Sequence, residues 1–114
     1  MYCCGAGTAA DCDFVTDMVA HELELIRLNT NRECRVINAA TIACNHLFYY
    51  GGYIGAYLII GGVDCKGPHL VNITADGAKM WVPYYATGSG SLSAISVIES
   101  NYREDMPVIH TITL

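Results

Sequence analysis

Residues 36–63 contain no Asp, Glu, Lys or Arg. A membrane-spanning helix needs about 20 consecutive apolar residues, so this stretch is long enough to form one. However, it contains Asn38, Asn45 and His46, and five glycines occur between Gly51 and Gly62. Glycines placed in this way weaken a helix and divide the stretch, and no Lys/Arg cluster flanks either end. We therefore expect a buried helix followed by a strand buried on both faces, and no membrane association.

Composition predicts a folded domain that does not bind nucleic acid. Hydrophobic residues make up 53% of the chain and charged residues 15%, the reverse of the balance in disordered segments. Six basic residues stand against eleven acidic ones, which gives a formal net charge of -5. The basic residues are scattered along the sequence, whereas a nucleic-acid-binding domain carries a basic patch.

The six cysteines indicate reduced thiols and no metal site. They form no C-x-x-C pair, and none has zinc-finger spacing to a histidine. The first residues contain no basic segment followed by an apolar one, so we expect no secretory signal peptide. Disulfides are rare in the cytosol and nucleus, and these are the compartments that we expect. No cofactor is predicted.

The spacing of apolar residues predicts an α+β fold. Residues 2–4 are typical of the end of a strand, and Gly5-Ala6-Gly7 is predicted to turn the chain. Residues 8–29 have the apolar spacing of a helix. A second helix is predicted over residues 37–50, strands over 53–60, 70–74 and 80–86, and a third helix over 92–102. This order excludes regular βαβ alternation and favours helices segregated from an antiparallel sheet.

The number of predicted elements is too small for a complete domain. A small sheet with helices on one face leaves its other face bare, so the chain resembles a piece of a larger fold. We expect unpaired strand edges around residues 53–60 and poor solubility of the isolated chain.

Two glycine-rich segments precede helices, and both are candidates for chemistry. Gly5-Ala6-Gly7 fits the looser form of the dinucleotide fingerprint, but that motif needs an acidic residue about 20 positions later, after a second parallel strand. Glu22 and Glu24 lie inside the predicted helix instead. The same glycines could supply backbone N–H groups to an oxyanion hole. Ser89 in the second segment is not in a G-x-S-x-G motif, and could equally be a helix N-cap or a turn residue.

Several blocks of the sequence resemble proteasome beta-type subunits of the trypsin-like catalytic class, in register from about residue 2 to residue 106. The blocks are Tyr2-Cys3-Cys4-Gly5-Ala6-Gly7-Thr8-Ala9-Ala10-Asp11, Leu23-Glu24-Leu25, Tyr53-Ile54-Gly55-Ala56, Gly61-Gly62-Val63-Asp64, Gly67-Pro68-His69-Leu70, Gly88-Ser89-Gly90-Ser91-Leu92 and Tyr102-Arg103-Glu104-Asp105-Met106. Each block is modest alone, and together they are specific. The resemblance divides the chain into a partial beta-type domain over residues 1–106 and a divergent tail over residues 107–114.

The resemblance implies a partial four-layer α-β-β-α sandwich of the N-terminal-nucleophile hydrolases, missing its first strands and its C-terminal part. Such subunits assemble with other alpha- and beta-type subunits into rings in the cytoplasm and nucleus. They are threonine endopeptidases that cut unfolded polypeptides in ubiquitin-dependent degradation, and this class cuts after basic residues. The N-terminal threonine supplies both the nucleophilic hydroxyl and the amine that acts as base.

The resemblance also implies site residues. Gly7 would provide the oxyanion N–H, and Ser89 would support the threonine amine. Gly5 would keep the specificity pocket open, Asp13 would select a basic side chain, and Ala9 would pair its backbone with an extended substrate.

The family's nucleophilic threonine, and the aspartate and lysine that accompany it, have no counterpart in this sequence. We therefore expect the 114 residues to be a part of an active trypsin-like subunit. Alone, they should be inactive. One alternative is a short non-catalytic product with a binding or assembly role. Another is a small-ligand domain that uses the Gly5-Ala6-Gly7 segment.

Overall fold

The structure is a computed structural model and describes residues 1–106, so the predicted tail over residues 107–114 lies outside the described residues. The chain divides into two compact units, Met1–Pro83 and Tyr84–Leu114. The first unit contains β1 (Tyr2–Gly7), α1 (Ala9–Thr30), α2 (Val36–Tyr49), β2 (Ala56–Asp64), β3 (Gly67–Ile73) and β4 (Lys79–Trp81). The second contains α3 (Ser91–Asn101). The predicted order of elements and the α+β class are confirmed.

The four strands form one antiparallel sheet in the order β1-β2-β3-β4. Tyr2 pairs with Gly61 at one end of the β1–β2 ladder and Gly7 with Ala56 at the other. β2 therefore has a hydrogen-bonded neighbour on each side, and the edges of the described sheet are β1 and β4. The expectation of unpaired edges around residues 53–60 is wrong, because β2 is internal and residues 53–55 precede it.

The core lies between the sheet and the helix pair. A strand contributes every second side chain to the core, and a helix contributes every third or fourth. The helices bury Cys12, Val15, Val19, Val36, Ala39, Ala40, Ala43, Cys44 and Leu47, and the strands bury Ala56, Leu58, Ile60, Val71 and Ile73. The three alanines of α2 remove bulk from its buried face, which favours close packing of this helix.

Asp64, at the end of β2, ties the sheet to the start of α2. Its carboxylate accepts hydrogen bonds from the backbone N–H of Val36 at 3.1 Å and of Lys66 at 2.8 Å. His69 Nε2 lies 3.2 Å from the same carboxylate. Desolvation opposes ionisation of Asp64, but the two N–H groups, His69 and Arg35 outweigh it, so the pKa of this carboxyl is lowered. The first N–H groups of a helix lack intrahelical partners, and Asp64 satisfies one of them.

The face of the sheet that points away from α1 and α2 carries exposed apolar side chains. Strand alternation and register place Tyr2, Tyr57, Val63 and Met80 on this face, and all four are exposed. The sequence prediction that β2 is buried on both faces is wrong for this chain, because its burial alternates along the strand. The expectation of a bare sheet face agrees with these exposures.

The boundaries of the strands differ from the prediction in segments that are rich in glycine and aromatic residues. Gly5-Ala6-Gly7 was expected to turn the chain, but these residues belong to β1 and pair with β2. β4 contains three residues, whereas the pattern predicted a strand over residues 80–86. Asn31 ends α1 in the left-handed region with φ of 54°, a conformation that asparagine tolerates better than most residues.

The second unit contains α3 and an aromatic pair beside it. The rings of Tyr84 and Tyr102 lie 4.7 Å apart between centroids. A hydrogen bond to Glu99 is the largest cause that raises the pKa of Tyr84, followed by desolvation. Every described residue of α3 is at least partly exposed.

Candidate functional site

The turn from β1 to α1 is fixed to the segment that precedes β2. The Thr8 N–H donates a hydrogen bond to the Gly55 carbonyl at 2.8 Å. In return, the Gly55 N–H donates to the Asp11 carboxylate, also at 2.8 Å. Residues distant in sequence therefore hold both ends of the turn, which gives the backbone around Gly7 a defined position.

Gly7 occupies a place that no other residue fits. Its φ is +109°, a conformation that side chains rarely adopt. A Cβ atom on Gly7 would also collide with the carbonyl oxygen of Gly55. Backbone conformation and space both require glycine here.

A groove of about 410 Å³ lies between β1 and the first turns of α1. Its strand side is formed by Cys3, Gly5, Ala6 and Gly7, and its helix side by Ala9, Cys12, Asp13, Thr16 and Asp17. A Cβ atom on Gly5 would lie 3.0 Å from Cys12 Cβ and 3.2 Å from Cys12 Sγ. The missing side chain of Gly5 therefore keeps the groove open above Cys12.

The groove brings together four of the five predicted site residues: Gly5, Gly7, Ala9 and Asp13. All four are exposed. Ala9 is the first residue of α1, so its N–H has no intrahelical acceptor, and the first helical bond is the one from Cys12 N–H to Thr8 O at 3.0 Å.

Ser89, the fifth predicted residue, belongs to the second unit. It is exposed in the turn before α3, where the Ser91 N–H donates to the Gly88 carbonyl at 3.1 Å. The helix N-cap is Gly90, so the interpretation of Ser89 as an N-cap is wrong and the turn interpretation holds. Its supporting role toward a threonine amine stays a prediction.

The thiols of the groove, Cys3 and Cys12, are hydrogen-bonded to backbone carbonyls. Cys12 Sγ donates to the Ala6 carbonyl at 3.3 Å. Desolvation raises the pKa of Cys3, against a lowering contribution from the Thr16 hydroxyl. Asp13 and Asp17 are the acidic side chains of the groove lining.

Asp17 is a groove residue that the sequence analysis did not identify. It lies four positions after Asp13 on α1, and residues at that spacing occupy the same helix face. This spacing was available in the sequence. What it could not reveal was that β1 runs beside this face, which turns a solvated pair of carboxylates into the wall of a groove.

The geometry does not favour a dinucleotide site or a metal centre. All strand pairings in the described sheet are antiparallel, whereas the dinucleotide motif needs a second parallel strand. Within residues 1–106, no three His, Cys, Asp or Glu side chains are grouped as metal ligands. Among the helices described, none combines the length and apolar character of a membrane span.

Comparison with known proteins identifies the family. A family model described as "Proteasome subunit" matches residues 1–114. The chain belongs to the proteasome subunit family. Its relatives are beta-type subunits, and its α+β architecture is part of the N-terminal-nucleophile hydrolase fold of that family, as the sequence resemblance predicted.

Three curated relatives illustrate the similarity. The chain is 56% identical over 106 residues to a probable proteasome subunit beta type-2 of Schizosaccharomyces pombe. It is 51% identical to the beta type-7-A subunit of Arabidopsis thaliana and 47% identical to the beta type-2 subunit of Saccharomyces cerevisiae, each over 106 residues. Each alignment covers 93% of this chain and 39–41% of the relative, so the chain spans about two fifths of the length of these subunits.

Proposed function

We propose that the groove between β1 and α1 forms the specificity pocket of a trypsin-like proteasome beta-type subunit, a threonine endopeptidase that cleaves after basic residues. The observation that carries the proposal is the convergence of Gly5, Gly7, Ala9 and Asp13 on one exposed groove. The resemblance implies substrate-binding and oxyanion-stabilising roles for the same four residues.

Each residue has a physical role in this proposal. The Gly7 N–H stabilises the oxyanion of the tetrahedral intermediate. The hydrogen bonds of Gly55 with Thr8 and Asp11 hold the backbone in place before the reaction. Ala9 offers its free N–H to the backbone of an extended substrate. Gly5 leaves room for a long side chain, and Asp13 provides the negative charge that a basic side chain needs.

We also propose the surroundings in which this groove acts. Ser89 supports the amine of the nucleophilic threonine, which is supplied outside the 114 residues. The partners are other alpha- and beta-type subunits in hetero-oligomeric rings, the substrate is an unfolded polypeptide, and the location is the cytoplasm and nucleus. The division into a domain over residues 1–106 and a tail over residues 107–114 is part of the same proposal.

The experiment introduces Asp13→Asn into the full-length subunit within its assembled particle. A charge-assisted hydrogen bond contributes about 1.5–3 kcal/mol, so kcat/KM for a peptide with arginine before the cleaved bond should fall roughly tenfold to hundredfold. Glu24→Gln, also an exposed acid on α1 but outside the groove, serves as the matched control and should leave the rate unchanged. An unchanged rate in Asp13→Asn would contradict the proposal.

The 114 residues alone should not hydrolyse this peptide, because the nucleophile of the covalent mechanism is not among them. The measurement is fluorescence release from the peptide with the purified 114-residue chain, compared with buffer. Turnover above the buffer rate that depends on Ser89 or on a cysteine would favour a different nucleophile and contradict the threonine mechanism.

A further inference from the structure

We propose that Asp17 is a second specificity-determining residue of the groove and biases it toward arginine over lysine. The inference rests on the proposed function, since it concerns the side chain that enters the same groove. It adds a residue that the resemblance did not assign.

The strand and the helix run antiparallel along the groove, which sets the order of its groups along its length. Gly7 and Ala9 lie at the turn, Ala6 contacts Cys12 next, and Cys3 lies beside Thr16 at the far end, with 4.0 Å between Cys3 Sγ and Thr16 Oγ1. Asp17 follows Thr16, so it lies one helical turn further from the β1–α1 turn than Asp13. A rise of about 1.5 Å per residue separates the two levels by roughly 6 Å.

The two carboxylates share one helix face and are available to a ligand. Cβ atoms four residues apart in a helix are about 5–6 Å apart, within reach of one planar cation. Among the residues that the structure describes, neither carboxylate is engaged in an ion pair or accepts a hydrogen bond. Asp11 differs from both, because its carboxylate is occupied by the Gly55 N–H.

The chemistry of the two basic side chains gives the direction of the bias. A guanidinium presents five N–H donors in a rigid plane, so separate edges can bind Asp13 and Asp17 together. An ammonium is a compact point charge that a single carboxylate can satisfy. Removal of Asp17 would take one of two carboxylate partners from a guanidinium, whereas an ammonium would keep the one that it needs. Cleavage after arginine should therefore weaken more than cleavage after lysine.

The experiment compares Asp17→Asn with wild type in the full-length subunit of the assembled particle. Two peptides are used that differ only in arginine or lysine before the cleaved bond. The ratio of kcat/KM for arginine to that for lysine should fall about three- to tenfold, while the lysine value stays within about twofold, as expected for loss of one charge-assisted contact at an exposed site. Asp17→Glu should retain the preference, and Glu24→Gln should change neither value.

The Asp13→Asn variant separates the two proposals. If it lowers kcat/KM for both peptides while Asp17→Asn leaves their ratio unchanged, the inference about Asp17 is overturned and the proposed function stands. If Asp13→Asn changes neither rate, the proposed function itself fails. An equal loss for both peptides in Asp17→Asn would also overturn the inference, because it would indicate a general effect of charge.

Discussion

Gly7→Ala should lower the free energy of unfolding by about 2–4 kcal/mol. Placing alanine in left-handed backbone space costs about 1–2 kcal/mol. The new Cβ would collide with the Gly55 carbonyl and lie 3.3 Å from Tyr57 Cδ2, so the Gly55 backbone must move. That movement weakens the hydrogen bond from Thr8 N–H to Gly55 O, and a lost bond adds about 0.5–1.5 kcal/mol. The backbone displacement that is needed to relieve the collision contributes the remainder of the loss in unfolding free energy.

Gly52→Ala is the matched control, because Gly52 also has positive φ, +92°, but a Cβ there would have no neighbour within 4 Å. It should cost only the backbone strain of about 1–2 kcal/mol. The assay is urea unfolding followed by the fluorescence of Trp81, the single tryptophan, at sub-micromolar concentration to suppress association through the exposed sheet face. If Gly7→Ala costs no more than Gly52→Ala, the argument that Gly55 crowds this position is refuted.

Three further outcomes are expected. Asp64→Asn should lower the melting temperature at neutral pH. Because the pKa of Asp64 is lowered in the folded protein, its contribution to stability is present above the unfolded carboxyl pKa and is lost as pH falls through the folded pKa. The melting temperatures of wild type and variant should therefore converge in acid, and a difference that persists there would contradict this account. Leu47→Ala at a fully buried position should cost about 2–5 kcal/mol in urea unfolding, whereas Leu28→Ala on the exposed side of α1 should cost under about 0.5 kcal/mol, and similar costs would contradict the core assignment. Val63→Lys should shift the isolated chain toward monomer in analytical ultracentrifugation, and an unchanged association would show that the exposed sheet face is not its cause.

The sequence was informative about elements wherever periodicity was strong. Val15, Val19 and Leu47 are buried as the helical spacing predicts, because a repeat of three or four residues defines one helix face. The sequence was less informative about β2, because its continuous apolar run predicted burial on both faces and only one face is buried. Whether an apolar face is covered depends on another layer, which a local pattern does not specify.

The candidate site was predictable in part. The resemblance named Gly5, Gly7, Ala9 and Asp13, and the structure places them along one groove. The hydrogen bond from Gly55 N–H to the Asp11 carboxylate joins residues more than 40 positions apart, and no local motif marks such a contact. Position in the sequence likewise could not show that the missing side chain of Gly5 leaves the groove open above Cys12.

The pairing of β1 with β2 has a consequence for how the chain folds. Tyr2 and Gly61 are partners, so nearly sixty residues, including both long helices, must be synthesised before β1 can complete its ladder. The helical hairpin can form from local contacts, whereas the β1–β2 ladder needs closure of a long loop and should form later. The groove depends on that ladder, because β1 is one of its walls. The proposed specificity pocket is therefore completed at a late, non-local step of folding. Substitutions that slow the docking of β1 should delay its formation more than substitutions within either helix.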